Sequence, residues 1–461
     1  TAPAAAHKDM YLDAKGEVIA GLSIDGPLSA AIPGVPAALV HLAEKYGKLD
    51  LKTSLRPAID IAKNGFEVDE RYRLLTGFRK DSLNKYSHTA KLFLKDGEVP
   101  PLGHVIKQTD LAEVLEQIAS KKNKGFYQGN VAKKLVDGVV KAGGNWTLAD
   151  LENYKIVERE PIKGSYKGIE IVAAPLPSSG GVALLEMLNI LSGFELEKLD
   201  EVTQKHLVVE AMRRAYRDRA EYAGDPDFVS VPVKRLASKD YADGLRASIR
   251  MDKATLSSSL PGIDKAPEGP HTTHFSILDK EGNRVSATVT INYPFGSAFV
   301  PPGTGVVLND EMDDFSSKPG VPNAYGLVGS HANAIAPGKR PLSSMTPTFL
   351  NDGKRIAVLG TPGGSRIITM VLLGILDYAK GNGPESWVKI GRFHHQFLPD
   401  HIEYEPDGLD SDTLNALGRL GHNTKNVGRH YGNMHAVQWN LTSGRVSAAS
   451  DPRGVGKAAT Q

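Results

Sequence analysis

The sequence predicts an α+β protein in which helices cover the outer sides of two sheets. Three observations lead to that class. Up to about residue 250, apolar residues recur three and four apart, the period of a helix with one buried face. Beyond it, short runs alternate apolar with polar, the period of a strand. One device also occurs twice, a strand, a turn of glycine and serine, and an apolar helix: IEIVAAPL, PSSGG and VALLEMLNILSGF, then RIAVLG, TPGGS and RIITMVLLGILDYAKG. Each copy reads as a sheet strand with its helix packed on the outside.

The elements follow in chain order. PGVPAALVHLAEKYGKL, KTSLRPAIDIAKNGF, TDLAEVLEQIASKKNKG and VTQKHLVVEAMRRAYRDRAEYAG carry the helical period, with glycine closing several ends. Residues 253–270, KATLSSSLPGIDKAPEGP, hold three prolines, two glycines and three serines, too little apolar surface to repay ordering, so an exposed flexible segment is expected. TTHFSILD, KEG and NRVSATVTIN then read as a hairpin. With Lys280–Gly282 as its loop, Thr272 faces Thr290, His274 faces Thr288 and Ser276 faces Ser286, all on one polar face. Thr273, Phe275 and Ile277 oppose Val285, Ala287, Val289 and Ile291 on the other, and this apolar set fixes the register, because a slip of one residue would invert it. The polar face either meets water or lines a site.

Bulk properties narrow the function. Across 461 residues the net charge is +2 with 23% charged residues and no block of one sign, which leaves no electrostatic footprint for nucleic acid or an acidic membrane. Small molecules or proteins remain as partners. The absence of cysteine removes thiol catalysis, disulfides and cysteine metal sites together. IITMVLLGILDYA is too short to span a bilayer and is read as a core helix. No signal peptide is visible, and the chain opens on Thr1, as a mature, trimmed or incomplete sequence would.

Several groupings could carry chemistry. At Pro362–Ser365 a strand hands over to a helix, so the N–H groups of Gly363 and Gly364 can face an anion, either as an oxyanion hole or simply in tight packing. The sister turn Pro177–Gly181 is assigned to packing. In NDEMDDFS, Asp310, Glu311, Asp313 and Asp314 suit a metal, an ammonium or a solvated loop; the glycine-centred spacing of a calcium loop is missing. Ser343 and Ser344 offer adjacent hydroxyls suited to a carboxylate. His394, His395 and His401 lack a zinc-site spacing and are assigned structural roles. No cofactor and no metal is expected.

Taken together, TTHFSILDKEGN, VTIN, LNDEMDDFSSKPGVPN, NAIAPGKRPLSSM, TPGGSRIIT, RFHHQFLPD and SDPR, with PLPSSGG and DPDFVSVP in the first half, resemble the gamma-glutamyltranspeptidase family in order and spacing across nearly the whole chain. The resemblance implies a four-layer αββα sandwich of the N-terminal-nucleophile hydrolases. It implies one precursor that cuts itself between His271 and Thr272 into a large subunit, residues 1–271, and a small subunit, residues 272–461, which stay together as a heterodimer. Thr272 would then be both nucleophile and, through its freed α-amine, its own base. Thr290 matches the threonine that hydrogen-bonds the nucleophile. Asn292, Glu311 and Asp314 match the ammonium site of a γ-glutamyl donor such as glutathione, Ser343 and Ser344 its carboxylate site, and Gly363 and Gly364 the oxyanion hole. Tyr325 matches the tip of a lid loop. The acyl group would pass to water or to an amino acid or peptide acceptor, in a periplasmic or secreted enzyme.

The match departs at the start. The family pattern Arg-Glu-x-Ala-Pro aligns with Ala2-Pro3, which places its carboxylate-clamping arginine just before residue 1, and a glycine-rich strand and helix upstream are not in the chain; a longer native protein is the expectation. Two rival functions are an acylase of glutaryl or β-lactam amides, and an inactive, uncut homologue.

Overall fold

Asp50 and Asp200 start two of the expected helices in the same way. Each carboxylate accepts from the backbone N–H three residues on, at 2.6 Å from Thr53 and 3.0 Å from Thr203, satisfying an end donor that the helix itself cannot. In the computed structural model, which describes residues 1–260 and 272–461, these helices are Leu51–Asn64 and Glu201–Tyr222. Val35–Lys45 and Thr109–Lys121 form the other two expected ones. The chain divides into two compact units. The first comprises residues 1–158, 290–313 and 335–340. Its core gathers the apolar faces of the early helices, through Val40, Leu55, Ile59, Ile118 and Leu135, around Trp146, whose indole N–H donates to Ala30 O at 3.0 Å.

The second unit holds residues 159–289, 314–334 and 341–461, built on a six-stranded antiparallel sheet. In spatial order its strands are Val446–Ser450, His435–Asn440, Arg355–Gly360, Thr348–Asn351, Ile169–Ala173 and Ile162–Tyr166. Helices Gly180–Leu191, Glu201–Tyr222 and Ile367–Ala379 share one apolar core with Ile171, Ala357, Leu359 and Ala436 of the sheet. Both strand–turn–helix devices therefore serve a single sheet and put their helices on the same side of it, which corrects the expectation that they mark two sheets. The same device recurs because the same handover, strand end to helix start, is needed twice along one sheet edge. Among the described residues, no helix is long and apolar enough to cross a membrane.

The hairpin forms with the expected register: Thr273–Leu278 pairs Arg284–Val289, with His274 opposite Thr288 and Ser276 opposite Ser286. The Asp279 N–H bonds Asn283 O at 3.0 Å and leaves Lys280–Gly282 as the loop. Its orientation is the surprise. The polar face packs on the sheet, where Ser276 Oγ donates to His435 O at 3.0 Å, Ser286 Oγ donates to Leu359 O at 3.3 Å and the Thr348 N–H donates to Ser286 Oγ at 3.1 Å. Because Leu359 points its side chain into the helix-covered core, its neighbour Gly360 faces the opposite way, toward the hairpin. The apolar face is the outer one, with Phe275 45% and Ile277 51% exposed among the described residues.

A further correction concerns the stretch expected to be flexible from residue 253. Ala254 and Ser257 are buried. The Ala254 N–H donates to Leu420 O at 2.7 Å, the Ser257 N–H to Asp400 Oδ2 at 2.7 Å and Ser257 Oγ to Phe397 O at 2.6 Å. Composition misled here because small polar residues can be ordered by buried partners far along the chain. Residues 261–270 of that stretch, and His271 at the expected cleavage site, lie outside the described residues.

Candidate active site

Thr290, Asn292 and Glu311 belong to the first unit, and Thr272, Asp314, Tyr325, Ser343, Ser344, Gly363 and Gly364 to the second. Each set is organised within its own unit.

In the second unit the start of the hairpin and the glycine turn lie at one end of the sheet. His274, two residues after Thr272, is buried with its ring over Gly360, so that a Cβ built on Gly360 would fall 2.5 Å from its Nδ1. Hydrogen bonds hold that ring, Nδ1 with Thr288 Oγ1 at 2.8 Å and Nε2 with Ser276 Oγ at 3.1 Å, and burial lowers its pKa to about 3, keeping it neutral. Three residues beyond Gly360 comes the turn, where Gly363 has φ 148° and Gly364 φ 57°, values that side-chain-bearing residues rarely adopt. A short 3-10 turn, Gly364–Arg366, leads into helix Ile367–Ala379, and Tyr216 Oη donates to Ser365 O to pin it. Positive φ at two successive glycines bends the chain at a helix start, the geometry in which backbone N–H groups turn toward an anion.

Tyr325 is buried and lies on Gly364, where an added Cβ would stand 2.6 Å from its Cε1. Its loop is tied down: Gln396 Nε2 donates to Gly326 O at 3.1 Å, and Asn323 Oδ1 accepts from the N–H groups of Tyr325 and Leu327 at 2.9 and 3.1 Å. Asn323 Nδ2 reaches Asp314 Oδ1 at 3.4 Å, linking this loop to the acid expected to hold an ammonium.

The serine pair is set by the sister turn. The Ser179 N–H and Oγ both donate to Ser343 O, at 2.9 and 2.8 Å, and Ser178 Oγ donates to Met345 O at 2.5 Å. The packing role expected for Pro177–Gly181 holds, and what it packs is Ser343 and Ser344. Each of those two hydroxyls only accepts among the described residues, Ser343 Oγ from the Met345 N–H at 3.0 Å and Ser344 Oγ from Arg219 Nη2 at 3.1 Å. Among the described residues neither O–H hydrogen has an acceptor. Sequence reading missed Arg219, since a charged residue in helix Glu201–Tyr222 looks solvent-facing until the helix proves to be buried nearly all round.

In the first unit, Thr290 Oγ1 accepts from the Asn292 N–H at 2.8 Å, and Asn292, at φ 71°, donates from Nδ2 to Asp310 O at 3.1 Å. The acid run separates into distinct roles. Asp310 is fully buried and accepts from the Tyr293 N–H at 2.9 Å, and burial holds its pKa well above the usual carboxylate range. Asp313 accepts from Ser23 Oγ at 2.6 Å. Glu311 Oε1 is buried with no hydrogen-bond partner among the described residues, and burial raises its pKa to about 7. A buried carboxylate oxygen left without a hydrogen bond among the described residues is suited to a cation.

The histidines take structural places. His394 bonds Thr369 Oγ1 and Gln396 Oε1, both at 2.9 Å, and His395 bonds Asp400 Oδ1 at 3.3 Å, while Arg392 of the same string pairs with Asp451 of SDPR. Among the described residues, His206, Glu210 and His422 have metal-ligand spacing. Glu210 Oε2, however, accepts from Arg214 Nη1 and Thr255 Oγ1, both at 2.5 Å, Oε1 accepts from the Thr255 N–H at 3.0 Å, and His206 Nδ1 bonds His422 Nε2 at 2.7 Å, so these atoms are engaged within the protein.

Comparison with known proteins places this geometry. The family model described as Gamma-glutamyltranspeptidase matches residues 1–461. The glutathione hydrolase proenzyme of Pseudomonas sp. (strain A14) is 44% identical over 432 residues, covering 91% of this chain and 74% of the relative. That of Escherichia coli (strain K12) is 40% identical over 462 residues, covering 98% and 79%. Among solved structures, the cephalosporin acylase from Bacillus halodurans superposes with a TM-score of 0.83 at 27% identity, covering 100% of this chain and 83% of that one. The chain belongs to the gamma-glutamyltranspeptidase family.

Proposed function

We propose that this chain is an autoprocessing gamma-glutamyltransferase and glutathione hydrolase with Thr272 as nucleophile. The observation that carries the reading is the seating of His274 on Gly360, which sets the start of the hairpin at the end of the sheet where the Gly363–Gly364 turn begins. In the precursor, Thr272 Oγ attacks the His271 carbonyl carbon, the C–N bond breaks as the Thr272 nitrogen takes a proton, and water opens the resulting ester. His271 keeps a carboxylate and Thr272 an α-amine, with a reference pKa of about 8. That amine then accepts the hydroxyl proton as Oγ attacks the γ-carbonyl of the donor. The N–H groups of Gly363 and Gly364 receive the oxyanion, the departing amine takes the proton, and a γ-glutamyl ester remains on Thr272. Water gives hydrolysis, and an amino acid or peptide gives transfer.

In this reading Asn292, Glu311 and Asp314 hold the donor's ammonium and Ser343 and Ser344 its carboxylate, with Tyr325 covering it and Thr290 steadying the nucleophile. The architecture is a four-layer αββα sandwich, a reading supported by helices on one side of the six-stranded sheet, the hairpin on the other, and an apolar outer hairpin face that a further helical layer would cover.

Thr272→Ala in the full-length protein tests the assignment. It should leave one uncut band on a denaturing gel and no release of p-nitroaniline from γ-glutamyl-p-nitroanilide; two subunits in that variant would refute it. The likeness to a cephalosporin acylase favours a second reading, hydrolysis of glutaryl-type amides. Such donors carry no ammonium, so faster turnover of glutaryl-p-nitroanilide than of the γ-glutamyl compound would select that reading.

A further inference from the structure

Arg219 is 6% exposed, and its side-chain hydrogen bonds among the described residues go to two neutral hydroxyls, Ser179 Oγ from Nε at 2.9 Å and Ser344 Oγ from Nη2 at 3.1 Å. Among the described residues, no carboxylate lies within ion-pair distance of it. A guanidinium does not give up its proton in a protein, so this is a permanent charge, desolvated and without a directly bonded anion. Asp314 acts on it electrostatically from farther away. Buried cations in proteins are normally paired, and one left unpaired beside a pair of outward-donating hydroxyls points to an anion that arrives from outside.

We propose that Arg219 is a positioning residue for the donor's α-carboxylate, acting through Ser344. The inference rests on the reading of Ser343 and Ser344 as the carboxylate site. Arg219 can only donate, so Ser344 Oγ must accept from it, and the hydroxyl hydrogen is thereby directed away from the guanidinium. A carboxylate there meets a fixed donor whose oxygen is polarised by the charge behind it, and such chains of hydrogen bonds strengthen one another out of water. The same cation supplies the long-range attraction that the neutral hydroxyls lack. Ser179 completes the device: its Oγ accepts from Arg219 Nε and donates to Ser343 O, so one serine aligns both the guanidinium and the backbone of the carboxylate pair. With Asp314 assigned to the ammonium, the two ends of the zwitterionic donor are matched by opposite charges.

The test uses full-length processed enzyme and three anilides: γ-glutamyl-p-nitroanilide, glutaryl-p-nitroanilide, which keeps the carboxylate without the amine, and 4-aminobutyryl-p-nitroanilide, which keeps the amine without the carboxylate. Arg219→Gln should raise KM about tenfold for the two carboxylate donors, the scale of a weakened hydrogen bond to a charged group, and leave that of the third unchanged. Arg219→Lys should recover part of the loss because it keeps the charge. Equal effects on all three donors, or no recovery with lysine, would overturn the inference. Ser344→Ala separates the two levels: if it fails to discriminate the donors, the carboxylate reading falls and this inference with it, whereas discrimination by Ser344→Ala but not by Arg219→Gln overturns only the role of Arg219. Should Arg219→Gln fail to fold, Ser179→Ala decides, since it loosens the same guanidinium; a KM selectively raised for carboxylate donors supports the inference, and an unchanged one overturns it.

Discussion

Replacing Gly360 by alanine tests the contact that, in the proposed mechanism, positions the nucleophile. Gly360 does not use a positive φ, so its backbone accepts alanine without strain. The new Cβ, however, would stand 2.5 Å from His274 Nδ1 and 2.6 Å from Nε2, well inside van der Waals contact. The ring cannot turn aside cheaply, because those nitrogens are bonded to Thr288 at 2.8 Å and Ser276 at 3.1 Å. The hairpin must lift from the sheet, at the cost of about 1–3 kcal/mol typical of overpacking in a dense core. The penalty is best read by urea unfolding in the uncut Thr272→Ala background, where both subunits remain one chain. In the otherwise native background the same change should slow self-cleavage, since Thr272 immediately precedes the displaced strand. Adding His274→Ala removes the obstructing ring, so the cost of Gly360→Ala should largely vanish in that background, a coupling of the size expected for residues in contact. An unchanged urea midpoint for Gly360→Ala, or the same penalty with and without the imidazole, would refute the seating argument.

Two further outcomes are expected. Gly364→Ala forces alanine to φ 57° and drives a Cβ toward Tyr325, so in the proposed mechanism it should displace an oxyanion donor and lower kcat on γ-glutamyl-p-nitroanilide by about 10²–10³-fold; an unaltered kcat would remove the turn from the mechanism. With its pKa raised to about 7, Glu311 loses its charge as pH falls through 7, so the ratio of kcat/KM between native enzyme and Glu311→Gln should shrink from pH 8 to pH 6. A ratio independent of pH would show that the carboxylate does not meet the donor's ammonium.

Much of this arrangement was legible in the sequence, for identifiable reasons. The hairpin register followed from alternation together with the Lys280–Gly282 loop, since a slip of one residue would move Phe275, Ile277 and Val285 off a common face. The glycine turn followed from a strand meeting a helix, and the core helix Ile367–Ala379 from its uninterrupted apolar run. Which face of the hairpin turns inward was not legible, because period two fixes sidedness and not direction. Hydroxyls and a neutral histidine can be buried as well as alkyl groups when a neighbouring strand offers partners, as the backbone oxygens of Leu359 and His435 do. Arg219 stayed hidden for a similar reason. Its burial depends on helix Glu201–Tyr222 sharing a core with residues as distant in sequence as Ile368 and Leu417, which no local pattern encodes.

The same long-range packing explains how a chain can be cut in its middle and remain one molecule. The proposed cleavage falls between residues 271 and 272, yet strand Ile169–Ala173 pairs with Thr348–Asn351 and lies inside the sheet, so the sheet hydrogen bonds themselves join the two products. Helices Gly180–Leu191 and Glu201–Tyr222 share their core with Ile367–Ala379, which lies on the other side of the cut in sequence. Separating the products would open that core, so dissociation and unfolding become one event. The ends are fixed as well. Ser257 is bonded to Phe397 and Asp400, Arg213 pairs with that same Asp400, and His274 is seated on Gly360. Ser257 on one side of the proposed cut and His274 on the other are therefore each anchored by residues far along the chain.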